Sequence, residues 1–317
     1  QAEDGIRDVE RSRGLGDVYK RQEQLIAEST GKEDKGIVPI DDEPFGEINS
    51  YGYDRFFEYI RYAEVADSKK DDKVEALKKA GHPVIQLDVA DLINLGQEFF
   101  RWEIATATAG AIMGINAFDQ PNVQESKEYT RLYLEEFKKN GQLPAECPVV
   151  TERDIRIFVD EGNRQALEGA STLEHIIAAQ LNRVQLGDYV AINAYVERTP
   201  SVHDSFQSIR TMVRDTKRVA TTLGYGPRLL HSTGQLHKGG QNSGVFIQVT
   251  SDVAQDFAIT GEPYSFGVLA AAQALGDMKS LNSRNRRVIR IHLGADVESG
   301  LSRVQAAVEG SLVAPKA

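Results

Sequence analysis

Cysteine is nearly absent from this 317-residue chain, which contains only Cys147. A single cysteine excludes an internal disulfide framework and is typical of a reducing compartment, so we expect a cytoplasmic protein. No apolar run approaches the roughly 18 residues that a membrane-spanning helix needs. The chain also lacks an excess of positive charge, because 37 basic residues face 47 acidic ones and the net charge is −10. That balance argues against nucleic acid or a membrane as the main partner.

The common cofactor and metal motifs are missing as well. The sequence contains no GxGxxG fingerprint and no P-loop, so we expect neither a dinucleotide nor ATP. Its six histidines show no metal-ligand spacing such as HExxH. We therefore predict a protein that uses no cofactor and no metal.

Residues 1–22, QAEDGIRDVERSRGLGDVYKRQ, contain five acidic and five basic residues and almost no apolar periodicity. This segment resembles translated sequencing-adapter sequence, and we interpret it as non-native, with the natural chain reading from near Glu23. A natural charged tail is the alternative.

From residue 23 onward, predicted strands and helices alternate, which is typical of an α/β layered fold with a largely parallel sheet. The proline- and glycine-containing stretch 140–148 indicates a linker between a first unit, 23–140, and a second α/β unit, 150–317. The predicted strands are 35–40, 55–64, 83–89, 187–196, 244–250 and 287–293. The predicted helices are 71–82, 91–115, 162–184, 201–224 and 265–282, with a further helix beginning near Pro121.

Three polar stretches are candidates for chemistry. AESTGKEDKG (27–36) places a carboxylate beside Ser, Thr and Gly, a setting for a base in a tight turn, although an ordinary turn has the same composition. GAIMGINAFDQPNVQESK (110–127) joins an apolar helix to a polar loop. HSTGQLHKGG (231–240) places two of the six histidines in what we predict to be a glycine-rich loop.

The second stretch resembles the C-terminal signature of phosphoglucose isomerases. Phe118, Asp119, Gln120, Val123 and Lys127 match that signature in register. The chain departs from it twice, with asparagine at 122 where the family prefers glycine and glutamine at 124 where it prefers glutamate.

The first stretch then resembles the Glu-Ser-x-Gly-Lys segment of the same family. This resemblance implies that Glu28 is the proton-transfer base and that Lys127 and Gln120 lie in the active site. From Glu23 onward the chain resembles the end of the enzymes in which a transaldolase is fused to a phosphoglucose isomerase. The implied fold is a layered α-β-α sandwich of the sugar-isomerase (SIS) type, with 23–140 as its second SIS half, followed by the second α/β unit.

The third stretch is similar to the Gly-Thr-x-x-Gln-His loop of the family, with Ser232 in place of the glycine and Leu236 inserted before the histidine. In the shorter isomerases this loop precedes the FDQ motif, whereas here it follows. The resemblance implies that His237 opens the sugar ring, with His231 as the rival. Ser232, Thr233 and Lys238 are the expected substrate contacts, and the N–H groups around Gly239 and Gly240 are an alternative phosphate cradle.

The resemblance thus implies an aldose–ketose isomerase that interconverts glucose 6-phosphate and fructose 6-phosphate through an enediolate. The alternative is a sugar-phosphate-binding module without catalysis. The implied partners are a phosphorylated hexose and the upstream half of the same enzyme, and a homodimer is possible. No residue here is assigned transaldolase chemistry, because the Schiff-base lysine of the fusion enzymes belongs to their upstream part.

Overall fold

The structure is a computed structural model that describes residues 18–62 and 67–313. The α-helices in these ranges are α1 (18–30), α2 (Ser68–Lys79), α3 (Leu95–Met113), α4 (Pro121–Asn140), α5 (Glu161–Ala166), α6 (Leu173–Asn182), α7 (Pro200–Lys217), α8 (Gly234–Gly239), α9 (Phe266–Ser283) and α10 (Val297–Val313). The strands are β1 (Phe57–Tyr62), β2 (Val84–Val89), β3 (Val150–Glu152), β4 (Ile155–Phe158), β5 (Tyr189–Tyr195), β6 (Ala220–Tyr225), β7 (Gly244–Thr250) and β8 (Arg287–His292). In this part of the chain, no helix is both long and apolar enough to cross a membrane.

A six-stranded mixed sheet organises the second half of the chain. Its strand order is β3-β4-β8-β7-β5-β6. Strands β8, β7, β5 and β6 run parallel to one another, whereas β4 is antiparallel to β8 and β3 is antiparallel to β4. The α/β class predicted from the alternating pattern is confirmed.

Helices cover both faces of this sheet because successive strand side chains point to opposite sides. In β5, Val190 and Ile192 face the larger apolar core, to which α6, α7 and α10 contribute. Tyr189 and Ala191 point to the other face, where Leu281 of α9 packs against them. The second face therefore carries the elements that form the candidate site described below.

The boundary predicted after residue 22 does not coincide with a structural boundary, because residues 18–22 belong to α1, which continues to residue 30. Val18 is fully buried in a small core with Ile60 and Val89 of the two-stranded parallel sheet β1-β2. The Tyr19 hydroxyl accepts a hydrogen bond from the Ile60 N–H at 3.0 Å. The remainder of the predicted non-native segment, 1–17, lies outside the described residues.

The strand predicted at 35–40 is wrong. The segment runs as irregular backbone across the second face of the large sheet, where Val38 and Ile40 pack against the apolar core. Pro39 between them has no N–H to give to a strand ladder, which favours this covering role over strand pairing. The segment was predicted to be a buried strand, but residues 37–40 are only partly buried and pack on a sheet instead of joining one.

Two predicted helices also differ from the structure. The helix predicted at 162–184 is interrupted between α5 and α6, where Gly169 has a φ of 85°. The helix predicted at 201–224 ends at Lys217, and the chain then forms β6. Arg218 at the junction has a φ of 58°, and the β-branched pair Thr221–Thr222 favours the strand that follows.

The two units predicted on either side of the 140–148 linker pack against each other. Helix α4 of the first unit lies along α9 of the second, and a Cβ at Gly276 would come within 2.8 Å of the Thr130 hydroxyl. Glu43, which lies between α1 and β1, forms an ion pair with Arg214 of α7 at 3.3 Å. Side chains from both units can therefore lie side by side at their contact.

We expect the free energy of unfolding to depend on pH through the protonation of Glu58 in β1. Burial raises the pKa of Glu58 to about 7, despite hydrogen bonds donated by Gln22 and Trp102. A folded-state pKa above the ordinary 4.5 favours the protonated folded form. The stabilisation is therefore fully present below pH 4.5 and is lost as the pH rises through about 7. Glu58→Gln should reduce the fall in the free energy of unfolding between pH 5 and 8, as measured by urea denaturation.

Glu75→Gln in α2 is the control, because the Glu75 side chain is 56% exposed. It should leave the pH dependence unchanged. A Glu58→Gln protein that is less stable than the wild type at pH 8 would show that the buried carboxylate is stabilising, contrary to this prediction.

Candidate active site

Glu28 lies in the last turn of α1, and the ESTGK segment leaves this helix at Gly31. The Gly31 N–H donates to the Ala27 carbonyl at 3.1 Å, and the Thr30 hydroxyl donates to the Ile26 carbonyl at 2.7 Å. A Cβ at Gly31 would collide with the backbone of Leu236 in α8, so glycine allows this close approach. The ESTGK turn thus packs directly on the third candidate stretch.

Lys32 connects this turn to the FDQ motif. The Lys32 side chain is 2% exposed, and its ammonium lies 3.0 Å from the Asp119 carboxylate and also contacts the Asp119 backbone carbonyl. The hydrogen bond from Lys32 lowers the pKa of Asp119 below its ordinary value. The first two motifs, separated by 87 positions, are therefore held together by a charged contact.

Gln235 of α8 connects both motifs to the third stretch. Its side-chain nitrogen donates to the Gly31 carbonyl at 2.8 Å, and its side-chain oxygen accepts from the Asn122 N–H at 2.9 Å. The Asp34 N–H also donates to the Gly239 carbonyl at 3.0 Å. The three stretches singled out from the sequence thus meet at one place.

Glu28 is half-buried near the C-terminal end of α1. Burial raises the pKa of Glu28, opposed by a hydrogen bond from Gln24 and by the positive charges of Lys32 and Lys127. A carboxylate whose pKa is shifted toward neutrality is suited to accept and return a proton. Burial is the largest of these effects on the pKa, and the charge of Lys127 is the smallest.

A cleft of about 330 Å³ opens beside Lys127, near the lower end of the usual range for small-molecule sites. Helix α4 supplies one wall, and His231, from the 3₁₀ turn Arg228–His231, faces it. The cleft is lined by Val123, Ser126, Lys127, Thr130, Arg131, Leu134, Glu135, Lys138, Leu230, His231, Tyr264 and Gln273. Glu28 is not among these lining residues, whereas Lys127, whose positive charge lowers the pKa of Glu28, is one of them.

His237, by contrast, does not face the cleft. Its side chain is buried against the rings of Tyr189 and Phe246, with ring centroids 6.2 and 5.0 Å away. Burial lowers the pKa of His237 well below its ordinary value, with further lowering by Lys238 and Arg286. The neutral, enclosed ring of His237 has no access to a sugar in the cleft, whereas His231 is exposed there.

Lys238 is also buried, and its ammonium forms an ion pair with Asp277 of α9 at 2.7 Å. This placement argues against the phosphate contact predicted for Lys238. The structure also argues against the predicted phosphate cradle of N–H groups. Residues 234–239 form helix α8, and the Gly240 N–H already donates to the Leu236 carbonyl at 2.9 Å. Residues 234–239 of the stretch predicted to be a glycine-rich loop therefore form a buried helix whose glycines permit close packing, whereas His231 at the start of the stretch is exposed.

The other predicted substrate contacts differ in their exposure. Ser232 and Thr233 are buried, with only 6% and 3% of their surface exposed. The Ser232 hydroxyl donates to the Leu229 carbonyl at 3.4 Å. Gln120 is exposed at the N-terminal end of α4, where its side chain makes no capping hydrogen bond. Of these three, Gln120 is the one free to approach a ligand. Within 18–62 and 67–313, no group of three or more His, Cys, Asp or Glu side chains is placed to hold a metal ion.

The chain is 30% identical over 151 residues to a protein of Methanococcus maripaludis named probable glucose-6-phosphate isomerase. The match covers 38% of this chain and 34% of that protein, so the chain spans about a third of the length of this curated relative. No protein-family model matches the chain. A solved structure of a hypothetical protein from Thermus thermophilus aligns with this chain at 11% identity and a TM-score of 0.38. The alignment covers 98% of this chain and 81% of the Thermus chain. A likeness this weak carries no argument.

Sequence reasoning missed Gln235 and most of the cleft wall. Gln235 stands at the glutamine of the family loop, but no local pattern indicates its contacts, because its partners Gly31 and Asn122 are 204 and 113 positions away. Arg131 had a usable signal, since it follows Lys127 by four positions and shares its helix face. Arg131 is paired with Glu135 at 2.6 Å, and Lys138 is paired with Glu262 at 2.8 Å.

Proposed function

We propose that this chain carries the catalytic residues of a sugar-phosphate isomerase that interconverts glucose 6-phosphate and fructose 6-phosphate. The observation that supports this most directly is the meeting of the motifs that carry Glu28 and Lys127, joined by the Lys32–Asp119 ion pair and by the Gln235 side chain, beside a cleft lined by Lys127 and His231. The similarity to a protein named probable glucose-6-phosphate isomerase supports the same reaction.

In the proposed mechanism, His231 gives a proton to the ring oxygen as the bond between that oxygen and carbon 1 breaks, and the hydroxyl on carbon 1 loses its proton to water, which leaves the open-chain aldehyde. This task suits a histidine, which titrates near neutral pH. Glu28 then removes the proton from carbon 2 of the aldose, and the electron pair forms the carbon–carbon double bond of an enediolate. The proton of the hydroxyl on carbon 2 passes to oxygen 1, and Glu28 returns the abstracted proton to carbon 1, which leaves the carbonyl at carbon 2 of the ketose. The positive charge of Lys127 stabilises the negative oxygen of the enediolate, and Gln120 orients the sugar hydroxyl groups.

We also propose that the complete enzyme contains an upstream sugar-isomerase half that supplies most phosphate contacts, as the resemblance to the transaldolase fusion branch implies. The SIS type of the fold and the possible homodimer belong to the same proposal. The cleft presented by this chain is small, which is consistent with a site that a second part of an enzyme completes.

A coupled assay of the chain with glucose 6-phosphate and with fructose 6-phosphate tests the proposal. Run in ²H₂O, the reaction should incorporate solvent deuterium at the carbon that receives the proton, because a carboxyl group exchanges its proton with solvent. Turnover with deuterium incorporation would support the enediolate route. Binding of 6-phosphogluconate without turnover by the folded chain, both alone and when extended by the upstream half, would favour a binding module and overturn the catalytic proposal.

The two histidines give a sharper test within this proposal. His231→Asn should lower kcat for glucose 6-phosphate by at most about 100-fold, the low end of the range for general acid–base catalysis, because sugars also open spontaneously. His237→Leu should leave kcat and its pH profile unchanged, because the ring of His237 is buried away from the cleft. Steady-state kinetics of both variants would decide, and the reverse pattern would restore His237 as the ring-opening group.

A further inference from the structure

Gln235 is placed to determine how the catalytic groups are arranged. Its side chain is fully buried and lies between two segments of the candidate site. We propose that Gln235 is a positioning residue of the isomerase, whose side-chain amide holds the turn carrying Glu28 against the start of the helix carrying Lys127. This inference rests on the proposed function and adds to it a residue that touches neither the substrate nor the reacting atoms.

Each end of the Gln235 amide binds the backbone of a different motif. The donated hydrogen bond goes to the carbonyl of Gly31, three positions after Glu28, at 2.8 Å. The accepted hydrogen bond comes from the N–H of Asn122, five positions before Lys127, at 2.9 Å. Because Asn122 lies in the first turn of α4, its N–H has no acceptor within the helix. One side chain thus satisfies both backbone groups and fixes their separation.

The surroundings of Gln235 leave little room for another solution. A Cβ at Gly239 would lie 2.6 Å from both the Gln235 side-chain nitrogen and the Gly31 carbonyl oxygen. Only a side chain with a donor and an acceptor at the same end can bridge the two backbones. Removal of that amide would leave a buried carbonyl and a buried N–H unsatisfied, so the turn and the helix would separate to reach water.

Such a separation would act on catalysis through Glu28. A shift of about 1 Å between catalytic groups can cost on the order of 100-fold in rate. The turn would also expose Glu28 to water, which reduces the effect of burial that raises its pKa, while Lys32 and Lys127 continue to lower it. A change in both kcat and the pH profile therefore distinguishes positioning from a general loss of stability.

The experiment compares Gln235→Ala with Gln180→Ala in the full chain. Gln180 of α6 is a matched control, because it is also fully buried and its side-chain nitrogen donates to two backbone carbonyls, those of Phe246 and Arg287, at 3.0 and 2.9 Å. Gln235→Ala should lower kcat on the order of 100-fold, change KM little and move the acid limb of the pH–rate profile to lower pH. Gln180→Ala should lose similar stability but keep the wild-type kcat and pH profile. Equal kinetic effects in the two variants would overturn the positioning role.

Hydrogen exchange followed by mass spectrometry separates this inference from the proposed function. In Gln235→Ala, peptides covering 27–34 and 119–127 should exchange faster than in the wild type, whereas Gln180→Ala should leave them unchanged. Unchanged exchange in Gln235→Ala would overturn the idea that Gln235 holds these two segments together, whatever the activity. If Gln235→Ala exchanges faster but the wild-type chain shows no turnover, the proposed function is overturned, and the catalytic part of this inference with it. The structural part, in which Gln235 holds the two segments together, would still be confirmed.

Discussion

Replacing Glu28 with glutamine should remove most isomerase turnover and leave sugar-phosphate binding nearly intact. Glutamine has almost the same size and can keep the contact with Gln24, but its amide cannot accept a proton from carbon 2. Loss of a general base typically costs about 100- to 10,000-fold in rate. The coupled assay measures kcat, and calorimetric titration with 6-phosphogluconate measures binding.

The role of Glu28 as a base also predicts the direction in which activity changes with pH. Glu28 acts as a base only when it is deprotonated, so activity is lost as the pH falls through its pKa. Because burial raises the pKa of Glu28 above the ordinary 4.5, against the hydrogen bond from Gln24 and the charges of Lys32 and Lys127, the acid limb of the wild-type profile should lie above pH 4.5. The residual activity of Glu28→Gln should lack this limb.

Glu161→Gln in α5 is the control for this substitution, because the Glu161 side chain is 79% exposed and far along the chain from the candidate site. It should behave like the wild type in both measurements. Wild-type turnover in Glu28→Gln would mean that another group is the base. Loss of binding together with turnover would show instead that Glu28 holds the substrate or the fold.

The sequence allowed the α/β class and the candidate residues of the first unit to be predicted for different physical reasons. Alternation of apolar strands with amphipathic helices is a local pattern, and it indicated β5, β7 and β8 nearly to the residue. A shared site for the motifs of Glu28 and Lys127 was expected from the resemblance alone, since nothing local in either motif points to the other. The ion pair of Lys32 with Asp119 supplies the physical contact that brings the two motifs together.

The third stretch shows where local reasoning ends. Glycines in HSTGQLHKGG predicted a loop, but Gly239 is needed because α8 is pressed against Gly31 and Asn122. His231 and His237 are six positions apart and have equal chemistry in the sequence. Their difference, one exposed at the cleft and one enclosed by Tyr189, arises only from how α8 packs on the sheet. Burial imposed by distant segments cannot be deduced from neighbours in the chain.

The strand β6 was missed for a related reason. The α7 sequence and the residues after it have a continuous helical spacing, and Gly224 offered a natural helix end. The helix ends earlier because β6 completes the edge of the sheet beside β5, from Tyr189 paired with Ala220 to Ala194 paired with Tyr225. Sheet pairing along six residues therefore overrides a helical pattern that is only locally favourable.

The ion pair between Lys238 and Asp277 should be among the most sensitive points of the fold. Both side chains are almost completely buried, at 1% and 0% exposure, and the charged atoms are 2.7 Å apart. Removing one partner of such a pair leaves an isolated charge in a region of low dielectric constant, which typically costs about 3–5 kcal/mol. Lys238→Met and Asp277→Asn should each lower the free energy of unfolding by about that amount, as measured by urea denaturation.

The double variant Lys238→Met/Asp277→Asn should be more stable than either single variant, because it buries no unpaired charge and keeps an acceptor for the Gln248 amide, 3.4 Å from Asp277. A double variant whose loss equals the sum of the single losses would show that the two charges do not interact. Because Lys238 and Gln235 share the short helix α8, the single variants should also loosen the Gln235 contacts and lower isomerase turnover. Recovery of turnover in the double variant would show that the ion pair serves the site through the placement of α8, and that neither charge is needed for the chemistry.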